Sequence, residues 1–449
     1  MTALLLEHAL VDGVVRDDVL VEIEDGRFTV VRPGAGAGGG SRVPGLTIPG
    51  LANCHSHAFH RALRGRTQAE RGSFWTWRDQ MYGVAERLDP DSYQVLATAV
   101  FREMVAGGIT SVGEFHYLHH QPDGTPYDDP NAMGHALLAA ADEAGIRIRL
   151  LDACYLSAGF GDDRVLPPEG VQRRYSDGDA DAWAARVGEL PADRAGAAIH
   201  SVRAVPRDQL GTVARAADDR PLHVHLSEQV LENEACLAAT GRTPTQLLAD
   251  AGALGPLSSA VHATHLTDED VRLLGWSRTN ACFCPTTERD LADGIGPSVA
   301  LAKAGSRLTL GSDSHAVVDL FEEMRAVEMH ERLVTMQRGH WSAAELLTAA
   351  TADGHASLGF DDVGRIAVGQ RADLVTVDPD SPRTAGTGTS CESVVFAATS
   401  QDVRQVMVDG RVVYDGDAEA VGHALAEAIE SCAGPRGENS HLSTRPGAR

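Results

Sequence analysis

Lysine is almost absent from this chain: Lys303 is the single lysine among 39 basic residues in a length of 449. Positive charge is scarce overall. Against 63 acidic residues the formal net charge is −24. Such a field repels phosphate backbones, so no nucleic acid is expected as a partner, and an anionic substrate must be held by local cations. No apolar run approaches the ~20 residues that a membrane span needs, so no membrane partner is expected either. The seven cysteines are scattered and odd in number. They do not read as a disulfide framework and fit a reducing cytoplasm. The opening MTALLLEHALVDG lacks a basic n-region and an adequate apolar core, so no secretion signal is expected there. The hydrophobic fraction of 43% is ordinary for a soluble globular chain. The length calls for two or three domains, or one large barrel with an accessory domain.

Residues 1 to about 45 read as short strands at 3–6, 19–24 and 27–31, punctuated by Gly13, Gly26 and a flexible glycine run over 34–40. Strand and helix then alternate to about residue 360. Strands are predicted at 46–53, 110–117, 147–154, 197–204, 221–226, 260–265, 281–285 and 308–311. Between them lie stretches such as 91–106, 131–144, 207–217, 231–250 and 268–274, with apolar residues at three- and four-residue spacing. Eight alternating units predict an α/β protein with a (β/α)8 TIM barrel, whose catalytic groups stand at the C-terminal strand ends. An insertion over 61–84, centred on Phe74-Trp75-Thr76-Trp77-Arg78, is placed to close over the barrel mouth. Strand-like pieces return at 372–377, 393–397, 403–408 and 411–413, with Asp409-Gly410 as a hairpin signal. The chain ends are therefore expected to form a small β-sandwich domain from 1–45 and 364–432 around a barrel at 46–363. A flexible tail is expected at 433–449.

The chemistry begins at His55-Ser56-His57, which ends the first barrel strand. Positions i and i+2 of a strand share a face, so both imidazoles point the same way and make half of a tetrahedral metal site. A lone His-x-His is equally a pair of solvated loop histidines. Three further strand ends change the balance. The fifth brings His223, His225 and Glu228, the sixth His262 and His265, and the eighth Asp313 and His315. Taken together in barrel register, His55, His57, His225 and Asp313 supply the nitrogen and oxygen donors of one divalent metal, zinc or alternatively iron(II). Glu228, three residues past His225, is placed to shuttle a proton without ligating. His262 is placed to donate a hydrogen bond to developing charge.

This pattern resembles the amidohydrolase superfamily: His-x-His on strand one, histidines on strands five and six, aspartate on strand eight, and a flanking β-domain. Two-metal members carry a carboxylated lysine at the end of strand four. Here that strand ends in Ile199-His-Ser-Val-Arg203, and Lys303 lies before strand eight. The one-metal deaminase branch is the better match. Within it the chain is similar to the formimidoylglutamate deiminase family. The matching stretches are His55-Ser-His-Ala-Phe, Phe74-Trp-Thr-Trp-Arg, Glu114-Phe-His-Tyr, His200-Ser-Val-Arg, His225-Leu-Ser-Glu-Gln, Val261-His-Ala-Thr-His, Cys284-Pro-Thr-Thr-Glu and Gly311-Ser-Asp-Ser-His. The resemblance implies metal-dependent hydrolysis of N-formimino-L-glutamate to N-formyl-L-glutamate and ammonia, in histidine degradation. It also implies a homodimer, and Arg78, Tyr117, His200 and Arg203 as holders of a small anionic substrate; Asp313 is expected to accept the water proton. His60 stands at a substrate-contacting position where the family usually has glutamine, and Arg289-Asp290 replaces smaller or amide residues.

Arginine forks suit a dicarboxylate, and Arg78 and Arg203 fall at the lid and just past strand four. The competing readings are a surface ion pair for Arg78 or Arg203, and a packed aromatic for Tyr117. Cys282 and Cys284 read as buried strand residues, His119-His120 as a polar loop, and His223 as a core residue or a support for the site. A nucleobase or adenosyl-type deaminase on the same metal site is the enzymatic rival. A non-catalytic scaffold on an amidohydrolase-like barrel is the other alternative, and it would be expected to have lost metal ligands.

Overall fold

The computed structural model describes residues 1–36, 39–67, 74–161 and 165–433. Its centre is an eight-stranded parallel sheet hydrogen-bonded in chain order. The strands are β1 (Leu51–Ser56), β2 (Ile109–His116), β3 (Arg147–Cys154), β4 (Ala195–Ile199), β5 (Leu222–Leu226), β6 (Ser258–His262), β7 (Asn280–Phe283) and β8 (Leu308–Leu310). The sheet closes on itself just past β8. The backbone N–H groups of Ser312 and Asp313 both donate to the His55 carbonyl at 3.0 Å, and Ser56 bridges Asp313 in parallel register. Closure leaves no edge and buries both faces, which is why these strands read as near-continuous apolar runs. Gly311 allows the contact: a Cβ there would lie 2.8 Å from the His55 Cβ.

Both chain ends combine in one seven-stranded sheet, in the order Arg411–Tyr414, Val403–Val408, Leu374–Val377, Ser41–Pro49, Thr2–Val11, Val14–Glu24, Arg27–Arg32. Asp409 and Gly410 form a two-residue hairpin with φ of 46° and 73°, the conformation that Asp-Gly favours. Arg147, at the start of β3, ties the barrel to this sheet through Asp373 at 2.6 Å and Asp409 at 2.8 Å.

The structure departs from the sequence reading in several places. The strand predicted over 46–53 is two strands: Ser41–Pro49 belongs to the outer sheet and Leu51–Ser56 to the barrel. The break is at Gly50, where a Cβ would lie 2.2 Å from Thr110 Oγ1. Apolar residues on both sides hid it. The strand predicted over 393–397 is the helix Cys391–Phe396, started by the Ser390 side chain accepting from Ser393 N–H. Its Val394 and Val395 look like strand residues locally, but both pack into the core. The region assigned to β-structure up to 432 ends in the helix Ala418–Ala433, which lies against Pro90–Ala106. The helical stretch 231–250 is Val230–Thr240 and Pro244–Asp250, divided at Gly241 with φ of 68°. In the insertion, helix Phe74–Ala85 follows the turn Ala58–Leu63, while 68–73 lie outside the described residues, as do 37–38 of the glycine run and 434–449 of the tail expected at 433–449.

Candidate active site

Four side chains, from β1 and the residue just past it, β5 and the turn after β8, converge at the C-terminal mouth. His225 Nε2 lies 3.1 Å from His55 Nε2 and 3.3 Å from His57 Nε2. Asp313 Oδ1 lies 3.3 Å from both His55 Nε2 and His57 Nε2. A tetrahedral ion with metal–nitrogen bonds of ~2.0–2.1 Å has donor-to-donor edges of roughly 3.3 Å, so these separations fit one. The ring orientations agree. His57 donates through Nδ1 to the Phe115 carbonyl at 3.0 Å, and His225 through Nδ1 to the His200 carbonyl at 2.8 Å. A neutral ring that donates through Nδ1 keeps its lone pair on Nε2, toward the centre. Burial pushes His55 down to about 4 and His225 well below the usual range, which keeps both neutral. Against the cost of burial, the imidazoles of His55 and His57 and the charge of His262 hold Asp313 ionised, well below the usual carboxylate range. His55, His57, His225 and Asp313 can therefore hold one divalent cation.

Beside them stand the two groups expected to move charge. His262 Nε2 lies 3.8 Å from Glu228 Oε1 and 3.6 Å from Asp313 Oδ2, and its Nδ1 lies 3.4 Å from Glu288 Oε1. Burial works against the imidazolium, but Glu228, Glu288 and Asp313 outweigh it and raise His262 well above its usual value. Burial biases Glu228 the other way, raising its carboxyl despite His262. The two are linked: the Glu228 charge favours the imidazolium, while burial favours a proton on Glu228. His262, Asp313, His315, Ser227 and Ala263 are non-glycine residues with positive φ, at 68°, 40°, 58°, 52° and 49°. Left-handed backbone costs ~1–3 kcal/mol per residue and gathers at functional sites.

A pocket of about 400 Å³ opens onto this cluster. All five residues expected to hold substrate, His60, Arg78, Tyr117, His200 and Arg203, line it. His60 Nε2 and the Tyr117 hydroxyl are 2.8 Å apart. Arg203 donates to the Ala158 carbonyl at 3.2 Å, and Arg78 lies over the Tyr82 ring at 5.5 Å. The sequence reading missed Tyr155, Tyr175 and Glu232 on the same walls. Tyr155 directly follows β3, so the strand-end rule applies to it. Tyr175 ends the turn Gly170–Tyr175, outside the eight barrel strands, and carries no local signal. Glu288 was noted only inside a motif, yet its Oε1 also accepts from Cys284 N–H at 2.9 Å and fixes the side chain beneath His262.

The readings of neighbouring residues divide. Cys282 and Cys284 are buried in an apolar cluster with Cys54, as expected. His223 is a buried barrel residue with neither ring nitrogen paired among the described residues. His119-His120 does lie in a loop with polar contacts, but the loop is buried and not solvated. His119 donates to the Ala153 carbonyl at 2.9 Å, and His120 lies 3.1 Å from Asp177. They belong to a network around Arg186, which grips Asp152 at 2.8 and 2.9 Å and Asp177 at 2.8 and 2.9 Å. Lys303 lies in helix Ser298–Ala304, away from the end of β4.

The chain matches the model of the amidohydrolase family over residues 46–413. It is 38% identical over 437 residues to the formimidoylglutamate deiminase of Pseudomonas aeruginosa, covering 93% of this chain and 95% of that one. A solved amidohydrolase from Brucella melitensis superposes with a TM-score of 0.88 at 29% identity, over 96% of this chain and all of that one. An adenosine deaminase from Xanthomonas campestris, solved with bound zinc, superposes with a TM-score of 0.81 at 25% identity, over 96% and 98% of the two chains. By sequence and by fold, this chain belongs to the amidohydrolase family.

Proposed function

We propose that this chain hydrolyses N-formimino-L-glutamate to N-formyl-L-glutamate and ammonia, with His55, His57, His225 and Asp313 as the ligands of one zinc ion. The observation that carries the reading is the shared pocket. Arg78 and Arg203 line the same cavity as the four converging donors, so a short molecule with carboxylates at one end reaches the cluster with its other end. The guanidinium fork pairs well with carboxylate, and local arginines answer the unfavourable field of an acidic chain. The 38% identical deiminase points to the same substrate.

A divalent cation at the four donors would supply Lewis acidity and make water a nucleophile near neutral pH. The roles of the side chains follow from their charges. Asp313, held ionised, accepts the water proton through its carboxylate. Glu228, biased toward carrying a proton, delivers it to the imine nitrogen. His262, held cationic, donates a hydrogen bond to charge developing at the formimino carbon substituents. Arg78, Arg203, Tyr117, His200 and His60 orient the rest of the molecule. The C–N bond to the terminal nitrogen breaks, and water adds its oxygen to the formyl product and its two protons to ammonia.

The aromatic wall of Trp77, Tyr82, Tyr117, Tyr155 and Tyr175 favours one rival, a deaminase acting on a stacked heterocycle. One assay separates the two. The zinc-loaded protein is incubated with N-formimino-L-glutamate, N-formimino-L-aspartate and guanine, and ammonia is measured. Release from the glutamate compound alone is the expected result. Release from guanine alone would keep the metal chemistry and discard the arginine clamp.

A further inference from the structure

Gln229 follows Glu228 at the exit of β5 and lines the pocket. Its amide is not free to turn, because Nε2 donates to Asp293 Oδ1. Asp293 is itself clamped at the exit of β7. Its N–H donates to the Glu288 carbonyl at 2.9 Å, and its carbonyl accepts from His265 Nε2 at 2.7 Å. His265 is the second histidine of the sixth strand end. Its N–H donates to the Ser227 carbonyl at 3.0 Å, and its carbonyl accepts from Asn233 Nδ2 at 2.6 Å. The loops after β5, β6 and β7 are thus laced together around one amide–carboxyl contact.

That contact fixes which end of Gln229 faces a ligand. With Nε2 turned to Asp293, the amide oxygen is the acceptor left for the pocket. An acceptor there suits an N–H donor and repels a carboxylate, the reverse of Arg78 and Arg203. Asp293 is buried, with Oδ2 unpartnered among the described residues and in one cluster with Glu228 and His262. Burial and then the Glu228 charge push its carboxyl up to about 9, with Glu288 and Asp313 adding and His262 opposing. The raised carboxyl lessens repulsion toward Glu228, and Oδ1 is the acceptor that Gln229 Nε2 meets.

We propose that Gln229 is a further substrate-binding residue whose amide oxygen accepts a hydrogen bond from an N–H of the linear amidine, and that Asp293, held by His265, is the positioning residue that stops the amide from flipping. This rests on the proposed deiminase reading and deepens it: the pocket is polarised, with acceptors for the amidine at one end and guanidinium donors for the carboxylates at the other.

The test is steady-state kinetics of the zinc-loaded full chain on N-formimino-L-glutamate, with metal content measured alongside. Gln229→Leu raises KM about tenfold, the value of one lost neutral hydrogen bond, with a smaller change in kcat and unchanged zinc. Asp293→Ala has the same effect, and the double variant is no worse than either single one, because both remove one interaction. Asp293→Asn stays within about twofold of the parent, since its amide oxygen replaces Oδ1 as acceptor. A Gln229→Leu protein with the parent KM overturns the proposal, as does a double variant whose effects add. If Asp293→Ala does not fold, Gln229→Leu and Asp293→Asn decide the question by themselves. A parent protein without turnover on this substrate defeats the deiminase reading and this inference with it; parent turnover with an unaltered Gln229→Leu KM defeats the inference alone.

Discussion

Two buried histidine–aspartate clusters stand in the same barrel, and they are built for opposite ends. His55, His57, His225 and Asp313 converge at the mouth, while His116, His119 and Asp152 lie together beside β2 and β3. Residue type does not tell them apart. The difference is how the lone pairs are spent. At the mouth, Nδ1–H groups of His57 and His225 are turned outward to carbonyls, leaving Nε2 and Asp313 Oδ1 facing one another. In the second cluster, Asp152 takes N–H donors from Trp183 at 3.0 Å and from Arg186 at 2.8 and 2.9 Å. A cation already occupies that carboxylate, and it is an arginine. One cluster is left electrostatically incomplete and can serve chemistry. The other is complete and serves folding.

The comparison can be broken by exchanging the consequences of damage. The largest effect is expected at the mouth. Asp313→Asn removes a proposed ligand and the proposed proton acceptor together, so turnover falls by more than about 10³-fold with loss of bound zinc. Elemental analysis beside the ammonia assay reads both. Glu228→Gln should leave zinc in place and lower kcat by about 10²–10⁴-fold, the range for a general acid–base group. Retained turnover would remove Glu228 from its role.

In the second cluster, Arg186→Leu leaves Asp152 and Asp177 buried without their cation. A loss of about 3–5 kcal/mol in unfolding free energy is expected, read by urea denaturation, with zinc content of the folded protein unchanged. A variant that kept its stability and lost zinc would reverse the assignment of the two clusters. The same network predicts acid sensitivity. Against the cost of burial, Arg186 and His119 hold the Asp152 carboxyl down at about 2, and hydrogen bonds from His120 and Arg186 hold Asp177 lower still. Folded values below unfolded ones mean that this stabilisation is complete above the ordinary carboxylate range and is lost as pH falls toward 2. Thermal unfolding as a function of pH should show that slope, flattened in Arg186→Leu. The smallest effect belongs to the surface. Arg102 and Glu143 are 3.1 Å apart and about half exposed, and Arg102→Ala should cost no more than about 1 kcal/mol.

The two clusters also differ in how far the sequence exposes them. His55 and His57 are legible because the strand period of two is a local property, and His225, His262 and Asp313 because a barrel presents its strand ends on one rim. Arg186 is a helical residue far along the chain from His119, and nothing local links them. That is why His119-His120 read as a polar loop. Val394-Val395 shows a limit of the same kind: β-branched residues look like strand until the Ser390 cap and the core claim them for a helix.

By itself the sequence determined the eight-unit alternation and the strand-end donors, because each follows from short-range period; the pocket arginines and the missing strand-four lysine ligand were legible through the family resemblance. Only the tertiary structure decided where the outer sheet hands over to the barrel at Gly50, which buried aspartate is already neutralised by an arginine, and that Gln229 meets Asp293, whose carbonyl accepts from His265. Those depend on groups brought together across strands, where hydrogen-bond direction and burial, and not residue order, set what each side chain is free to do.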